Sequence, residues 1–184
     1  MKIVETGING LLLIEPSVFE DERGYFFESY HFNRYREAGV TASFIQDNES
    51  KSAHGVVRGL HYQIGQFAQA KLVRVVQGSV FDVAVDLRED SPTFGKWVGI
   101  ELTEQNKKQL FIPRGFAHGF SVLSKTAIFT YKCDNIYNKA YERSINPFDS
   151  DLNIDWQIDP LEAIVSEKDQ KAPSFSNADI NFNF

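Results

Sequence analysis

The sequence predicts an all-β fold, a sandwich or a barrel, on three observations. Aromatic and β-branched residues recur in short runs; Gly, Pro, Asn or Asp separates them; and apolar and polar positions alternate within the best of them. The runs are Leu11 to Ile14, Tyr25 to Tyr30, Val56 to His61, Lys71 to Val76, Val80 to Leu87, Trp97 to Leu102, Gln109 to Ile112, Phe116 to Leu123 and Ala127 to Lys132. From Val80 to Leu87, odd positions hold Phe81, Val83, Val85 and Leu87, while even ones hold Asp82, Ala84 and Asp86. Successive side chains on a strand point to opposite faces, so one apolar face is expected to be buried there. His31 to Gly39 reads as a short helix stopped by glycine, and the stretch beyond Pro147 as loops with short helical turns. The end, Asn177 to Phe184, is expected to fray.

A chain of 184 residues has the size of one domain, expected to span 1–184, with a substantial core. Its net charge of −6 offers no global basic field to a nucleic-acid backbone. An anionic small ligand would need arginine and lysine concentrated locally. The single Cys133 cannot form an intramolecular disulfide and reads as inert packing. Met1-Lys2-Ile3-Val4-Glu5 lacks the apolar core of a signal peptide, which points to the cytoplasm. No apolar run approaches the roughly 20 residues that span a bilayer, so no membrane partner is expected.

Chemistry-bearing residues concentrate in Arg58-Gly59-Leu60-His61-Tyr62-Gln63 and Gln69-Ala70-Lys71-Leu72-Val73-Arg74. Charged side chains among strand-forming apolar residues are rarely buried without partners, so they suggest a lined cavity. Period-2 counting puts Lys71 on one face with Val73 and Val75, and Tyr131 with Phe129 and Cys133. A lysine there suits stabilisation of a developing enolate, or it packs its stem on the sheet with the ammonium in water. His61 titrates near neutrality without tuning and is the natural general base. Strict counting sets it opposite Arg58, unless Gly59 marks a bulge that re-aims it. Asp82, Asp86 and Asp169 are all eligible to orient it. For Asp169, Ser166-Glu167-Lys168-Asp169 also fits a helix cap, the simpler reading.

Pro113 to Phe120 resembles the second half of the cupin signature, whose histidine often ligates a metal. The first half, with its close histidine pair, is missing, since His31, His54, His61 and His118 contain no His-x-His. No metal site is therefore expected. His118 reads as a hydrogen-bond donor to substrate or as a satisfied core histidine. Asp21 to Glu28 and Gln46 to Ser50 add charged and amide groups, although turn chemistry explains Asp21 to Gly24 equally well. The chain has neither a glycine-rich phosphate loop nor a dinucleotide fingerprint.

Together these motifs resemble the dTDP-4-dehydrorhamnose 3,5-epimerase family. They are Asp-x-Arg-Gly-x-Phe at 21 to 26, Gln-Asp-Asn-x-Ser at 46 to 50 and Arg-Gly-Leu-His-Tyr-Gln at 58 to 63, with Lys-Leu-Val-Arg at 71 to 74. Further on come Asp-Val-Ala-Val-Asp-Leu-Arg at 82 to 88, Ser-Pro-Thr-Phe-Gly at 91 to 95, Pro-x-Gly-Phe-Ala-His-Gly-Phe at 113 to 120, Tyr-Lys at 131 to 132 and Ser-x-Lys-Asp at 166 to 169. The resemblance implies a cupin-type jelly-roll barrel with short peripheral helices, a homodimer, and cofactor-independent epimerisation of dTDP-4-dehydro-6-deoxy-D-glucose on the route to dTDP-L-rhamnose. It also implies roles. His61 matches the base, Asp169 its orienting carboxylate, Lys71 the enolate stabiliser and Tyr131 the acid on the opposite face. Arg23, Phe26, Glu28, Gln46, Asn48, Arg58, His118, Glu142 and Lys168 match positions that hold the nucleotide sugar. After Tyr137 the chain departs from the pattern. Arg143 stands where a glycine usually follows the binding glutamate, and Ser150 and Gln157 replace the usual prolines. Alternatives are a C3-only epimerase and a non-catalytic nucleotide-sugar binding module.

Overall fold

The computed structural model describes residues 1–182. In chain order the strands are β1 (Lys2–Glu5), β2 (Leu12–Glu15), β3 (Val18–Asp21), β4 (Gly24–Phe27), β5 (Gln46–Ala53), β6 (Val56–Gln63) and β7 (Lys71–Gln77). They continue as β8 (Ser79–Asp86), β9 (Trp97–Thr103), β10 (Gln109–Ile112), β11 (Phe116–Val122), β12 (Thr126–Cys133), β13 (Glu142–Ser144) and β14 (Ile164–Val165). Two short helices lie outside the sheets, α1 (Phe32–Glu37) and α2 (Glu167–Gln170). Helix α1 begins where His31 Nδ1 accepts the Arg34 N–H and stops before Gly39, much as the sequence suggests.

One sheet has the order β1-β2-β10-β7-β12-β5 and a second the order β13-β6-β11-β8-β9, with β14 added parallel to β6; β3 and β4 form a separate hairpin. Sequence-distant strands lie side by side, as in a jelly roll of the cupin kind. The expected barrel is, in detail, two facing sheets that do not hydrogen-bond into a closed ring. Val73, Val75, Leu110, Ile112 and Phe129 of the first sheet meet Val80, Ala84, Leu102, Phe120 and Val122 of the second in one core. Burial of each such Val, Leu, Ile or Phe side chain contributes about 1.5–3 kcal/mol.

The second sheet is covered on its other side too, where Val83, Val85, Leu87, Ala117, Ile145, Trp156 and Phe182 pack together. Strand β8 is therefore buried on both faces, and its polar-looking even face points into the core between the sheets. The sequence anticipates burial of the odd face alone. The expected fraying is corrected as far as Phe182, which is 2% exposed and sits against the Tyr62 ring. Residues 183 and 184 lie outside the described residues.

Candidate active site

Strand β6 carries the local irregularity that builds the site. From His118 to Phe120, β11 advances two residues while its partner advances three, from His61 back to Arg58. The extra residue returns His61 to the face of Arg58, resolving the conflict with strict alternation. Gly59 permits it. Its φ is +119°, and an added Cβ would stand 2.6 Å from the Gly119 Cα and 2.7 Å from the His118 carbonyl oxygen.

On the facing sheet, Lys71 lies opposite Cys133, Tyr131 opposite Val73 and Asn48, and Cys133 opposite Gln46. These side chains share the inner face, as period-2 counting requires. All but Val73, which packs in the core, line a cavity of about 180 Å³ with His61, Tyr62, Gln63, Gln69, Tyr137 and Glu142. The Lys71 Nζ lies 5.8 Å from the centre of the Tyr131 ring. Burial lowers the Lys71 pKa and raises that of Tyr131, so the phenol holds its proton more firmly than a free tyrosine.

The three eligible carboxylates separate cleanly. Asp169 Oδ1 lies 2.7 Å from His61 Nε2, while Ser166 Oγ accepts the Asp169 N–H, so the helix cap and the His–Asp pair coexist. Burial pushes the Asp169 carboxyl up, but the His61 bond and charge, with help from Ser166 and the Gly59 N–H, hold it below the ordinary range. With an ionised carboxylate on Nε2, the Nδ1 lone pair of His61 is its basic site. Asp82 instead meets His118 Nε2 at 2.8 Å. Asp86 accepts from Arg88, Ser91 and Thr93, and so belongs to the loop after β8.

The remaining candidates fall into two groups. At the cavity, Gln46 Nε2 donates to Asn48 Oδ1; Arg58 does not line it, and its Nε donates to Ser52 Oγ. Glu142 accepts from Lys168 Nζ at 2.6 Å and from the Tyr137 hydroxyl at 3.1 Å. His118 is buried and its Nε2 faces Asp82, which fits the core-histidine reading. Arg23, Phe26 and Glu28 line no part of this cavity. Arg23 pairs with Asp21 at the hairpin tip, Phe26 is 71% exposed on β4, and Glu28 pairs with Arg34.

Sequence reasoning missed Tyr62, Gln63, Gln69, Cys133 and Tyr137 as lining residues. Gln63 was visible as the last residue of its motif. Its side chain bonds the Phe67 and Ile136 carbonyls and the Asn138 N–H, and so fixes the loop that carries Tyr137. Arg143, where the resemblance expects glycine, bonds Asp179 at 2.6 Å and ties β13 to the chain end. A larger cleft of about 390 Å³ opens on the other face of the first sheet, lined by Asp47, Glu49, Arg74 and Lys132 among others. It lacks a histidine, whereas His61 lines the smaller cavity. Among the described residues no group of three or more His, Cys, Asp or Glu is arranged to hold a metal ion.

Comparison with known proteins identifies the family. The family model described as dTDP-4-dehydrorhamnose 3,5-epimerase matches residues 5–177. The dTDP-4-dehydrorhamnose 3,5-epimerase of Shigella flexneri is 53% identical, over 97% of this chain and 98% of that protein. The crystal structure of the Elizabethkingia anophelis enzyme of that name superposes with a TM-score of 0.93 at 57% identity, covering 96% of this chain and 97% of the other. A Legionella pneumophila dTDP-6-deoxy-D-glucose-3,5-epimerase, solved with dTDP-4-keto-L-rhamnose, gives 0.92 at 50% identity, covering 97% and 94%. A full-length match in sequence and fold, with a His–Asp pair facing a tyrosine and a lysine across one cavity, establishes that the chain belongs to the dTDP-4-dehydrorhamnose 3,5-epimerase family.

Proposed function

We propose that this chain epimerises dTDP-4-dehydro-6-deoxy-D-glucose at C3 and C5 to dTDP-4-dehydro-L-rhamnose, in dTDP-L-rhamnose biosynthesis. The observation that carries the reading is one cavity holding His61, Tyr131 and Lys71, with His61 bonded to Asp169. Hydrogens on the carbons beside a ketone become acidic once the enolate oxygen is stabilised. His61 takes the proton from carbon, and the electron pair of that C–H bond moves to the ketone oxygen. Lys71 offsets the negative charge formed there. Tyr131 then protonates the carbon from the opposite face, inverting it; His61 releases its proton to solvent and Tyr131 regains one from solvent, which resets both groups. Repetition at the second carbon completes the reaction without a redox step or cofactor.

Arg58, Lys168 and Glu142, with Gln46 and Asn48, surround the path a nucleotide sugar would take. Cationic side chains there explain how an acidic protein grips a diphosphate. We assign Arg23, Phe26 and Glu28 to the same ligand in a homodimer, in which the hairpin of one copy reaches the cavity rim of the other. Two features support this: the hairpin exposes Phe19, Tyr25 and Phe26, and β5 ends its sheet with an unpaired edge beside Gln46 and Asn48. No helix among the described residues is long and apolar enough to cross a membrane, and we place the enzyme in the cytoplasm as a single domain.

Incubation with substrate in D2O tests the reading. Deuterium is expected at both C3 and C5, with incorporation falling at least about 100-fold in His61→Asn. Label at C3 alone would reduce the activity to C3 epimerisation, and wild-type protein that binds the nucleotide sugar without exchange would leave a binding module.

A further inference from the structure

The hairpin of β3 and β4 pairs with no strand outside itself. Among the described residues its one ion pair, Arg23 with Asp21, is internal, and no hydrogen bond or ion pair ties residues 18–27 to the rest of the chain. A lone two-stranded hairpin is marginal in water, so its pose has to come from side-chain contacts. One face supplies them. Tyr25 and Phe27, two apart on β4, share that face with their ring centres 6.1 Å apart, and each is met by a cation from the body of the fold. Lys107, between β9 and β10, sets its Nζ 3.7 Å from the centre of the Tyr25 ring, and Arg74 of β7 sets its guanidinium carbon 5.5 Å from that of Phe27. The opposite face carries Phe19 and Phe26, paired across the hairpin and 67% and 71% exposed. We propose that Lys107 and Arg74 are positioning residues, which clamp the Tyr25 and Phe27 face of the hairpin and so aim Arg23 and Phe26 at the nucleotide sugar held by a second copy.

The lysine is presented by a turn built to hold it. Its φ is +53°, a region that glycine and asparagine enter more easily than lysine. Asn106 keeps it there: its Oδ1 accepts the Thr103 and Lys108 N–H groups and its Nδ2 donates to the Glu101 carbonyl, while Thr103 Oγ1 accepts the Gln105 and Asn106 N–H groups. Next to it, Lys108 pairs with Glu15 at 3.2 Å and ties the turn to β2. A backbone conformation of this kind, over-determined by its surroundings, points to a task for the side chain. That task is visible across the cleft of about 370 Å³ which Lys107, Gln105 and Glu104 share with Glu20 and Tyr25 of the hairpin and Val76 of β7. Lys107 spans the cleft as a strut. Glu20 and Glu104 line the same space, yet Lys107 forms an ion pair with neither among the described residues, and the group its ammonium meets is the face of the Tyr25 ring, which attracts a cation through its quadrupole.

The proposal rests on the role given above to the hairpin in a homodimer, and the two can fail separately. The measurements are dTDP affinity by calorimetry, KM and kcat for the nucleotide sugar, and thermal unfolding of the same samples. Lys107→Gly suits the positive φ and removes the strut alone, so Tm is expected to hold or rise while dTDP affinity falls about 5-fold and KM rises by a similar factor. The kcat should stay within about 2-fold of wild type, since His61, Tyr131 and Lys71 are untouched. Lys107→Arg keeps a cation for the ring and should restore both values, whereas Tyr25→Leu should repeat the loss. Wild-type affinity and KM in Lys107→Gly and Tyr25→Leu, beside a loss of about 10-fold or more in Arg23→Ala, would overturn the proposal alone. A fall in kcat with KM unmoved in Lys107→Gly would overturn it as well. Wild-type dTDP affinity in both Arg23→Ala and Phe26→Ala would overturn the role of the hairpin and this proposal with it.

Discussion

Gly59→Ala should damage both stability and turnover, because one residue both permits the β6 bulge and sits where two backbones touch. At φ +119° a side chain is in a region that L-residues avoid, which costs about 1–3 kcal/mol. The new Cβ would also press on backbone atoms at 2.6 and 2.7 Å, which cannot rotate away. Overpacking of this kind adds about 1–3 kcal/mol. In a chain of this size each kcal/mol moves Tm by about 2–4 °C, so a fall of at least about 4 °C is expected. Gly24→Ala supplies the control, since its φ is +124° and nothing lies within 4 Å of an added Cβ. The difference between the two variants in calorimetry isolates the contact from the backbone cost. Relief of the clash moves His61 relative to Asp169, and a misplacement near 1 Å is enough for a loss of about 100-fold in exchange. Equal Tm values for the two variants, together with undiminished exchange in Gly59→Ala, would refute the claim that this close approach aims the proposed base.

Two further outcomes follow from the geometry. Tyr131→Phe removes the phenolic proton but keeps the ring over the Lys71 side, so wash-in of deuterium should persist while net inversion falls about 100-fold or more, read by NMR of the sugar ring. Asp86→Asn should cost about 3 kcal/mol at neutral pH by urea unfolding, since it breaks a buried pair with Arg88. Burial raises the Asp86 pKa, but bonds from Arg88, Ser91 and Thr93 outweigh it and leave the carboxyl below its ordinary range. Its contribution is therefore present above the unfolded value of about 3.9 and lost as pH falls through the lower folded value. The gap between wild type and variant should close in acid, and a gap constant down to pH 2 would contradict the assignment.

Most strands were legible because apolar alternation reports burial of one face, and β7, β9, β10, β11 and β12 lie within a residue or two of the runs that mark them. Strand β5 was not, for a functional reason. Of its inward positions, Gln46 and Asn48 line the cavity, Ser52 bonds Arg58 and Ser50 is polar as well, so no apolar signal remains. The same physics hid the inner face of β8, where Asp82 looked like a solvent position. Lys71 and Tyr131 were placed together by counting alone, since regular strands keep their register. His61 needed the bulge, which a glycine hints at but does not prove. Asp169 stands 108 residues from His61 along the chain, and its local sequence is fully explained by a cap. Neither spacing nor composition could choose it over Asp82 or Asp86.

The division of labour between the sheets explains why this architecture suits inversion at carbon. His61 comes from β6 in one sheet, whereas Tyr131 and Lys71 come from β12 and β7 in the other. Facing sheets stand about 10 Å apart, which leaves a gap the width of a sugar ring between the two sets of side chains. A base and an acid on one strand would serve the same face of the ring and could only exchange a proton with retention. In the proposed roles, His61 and Tyr131 on facing sheets address opposite faces, and inversion follows from where the strands are. The ammonium belongs beside the acid, since Lys71 reaches Tyr131 diagonally across the β7–β12 pair. On this reasoning, moving the phenol to β11, by His118→Tyr with Tyr131→Phe, should restore no inversion at all, because the proton would return from the side on which it left.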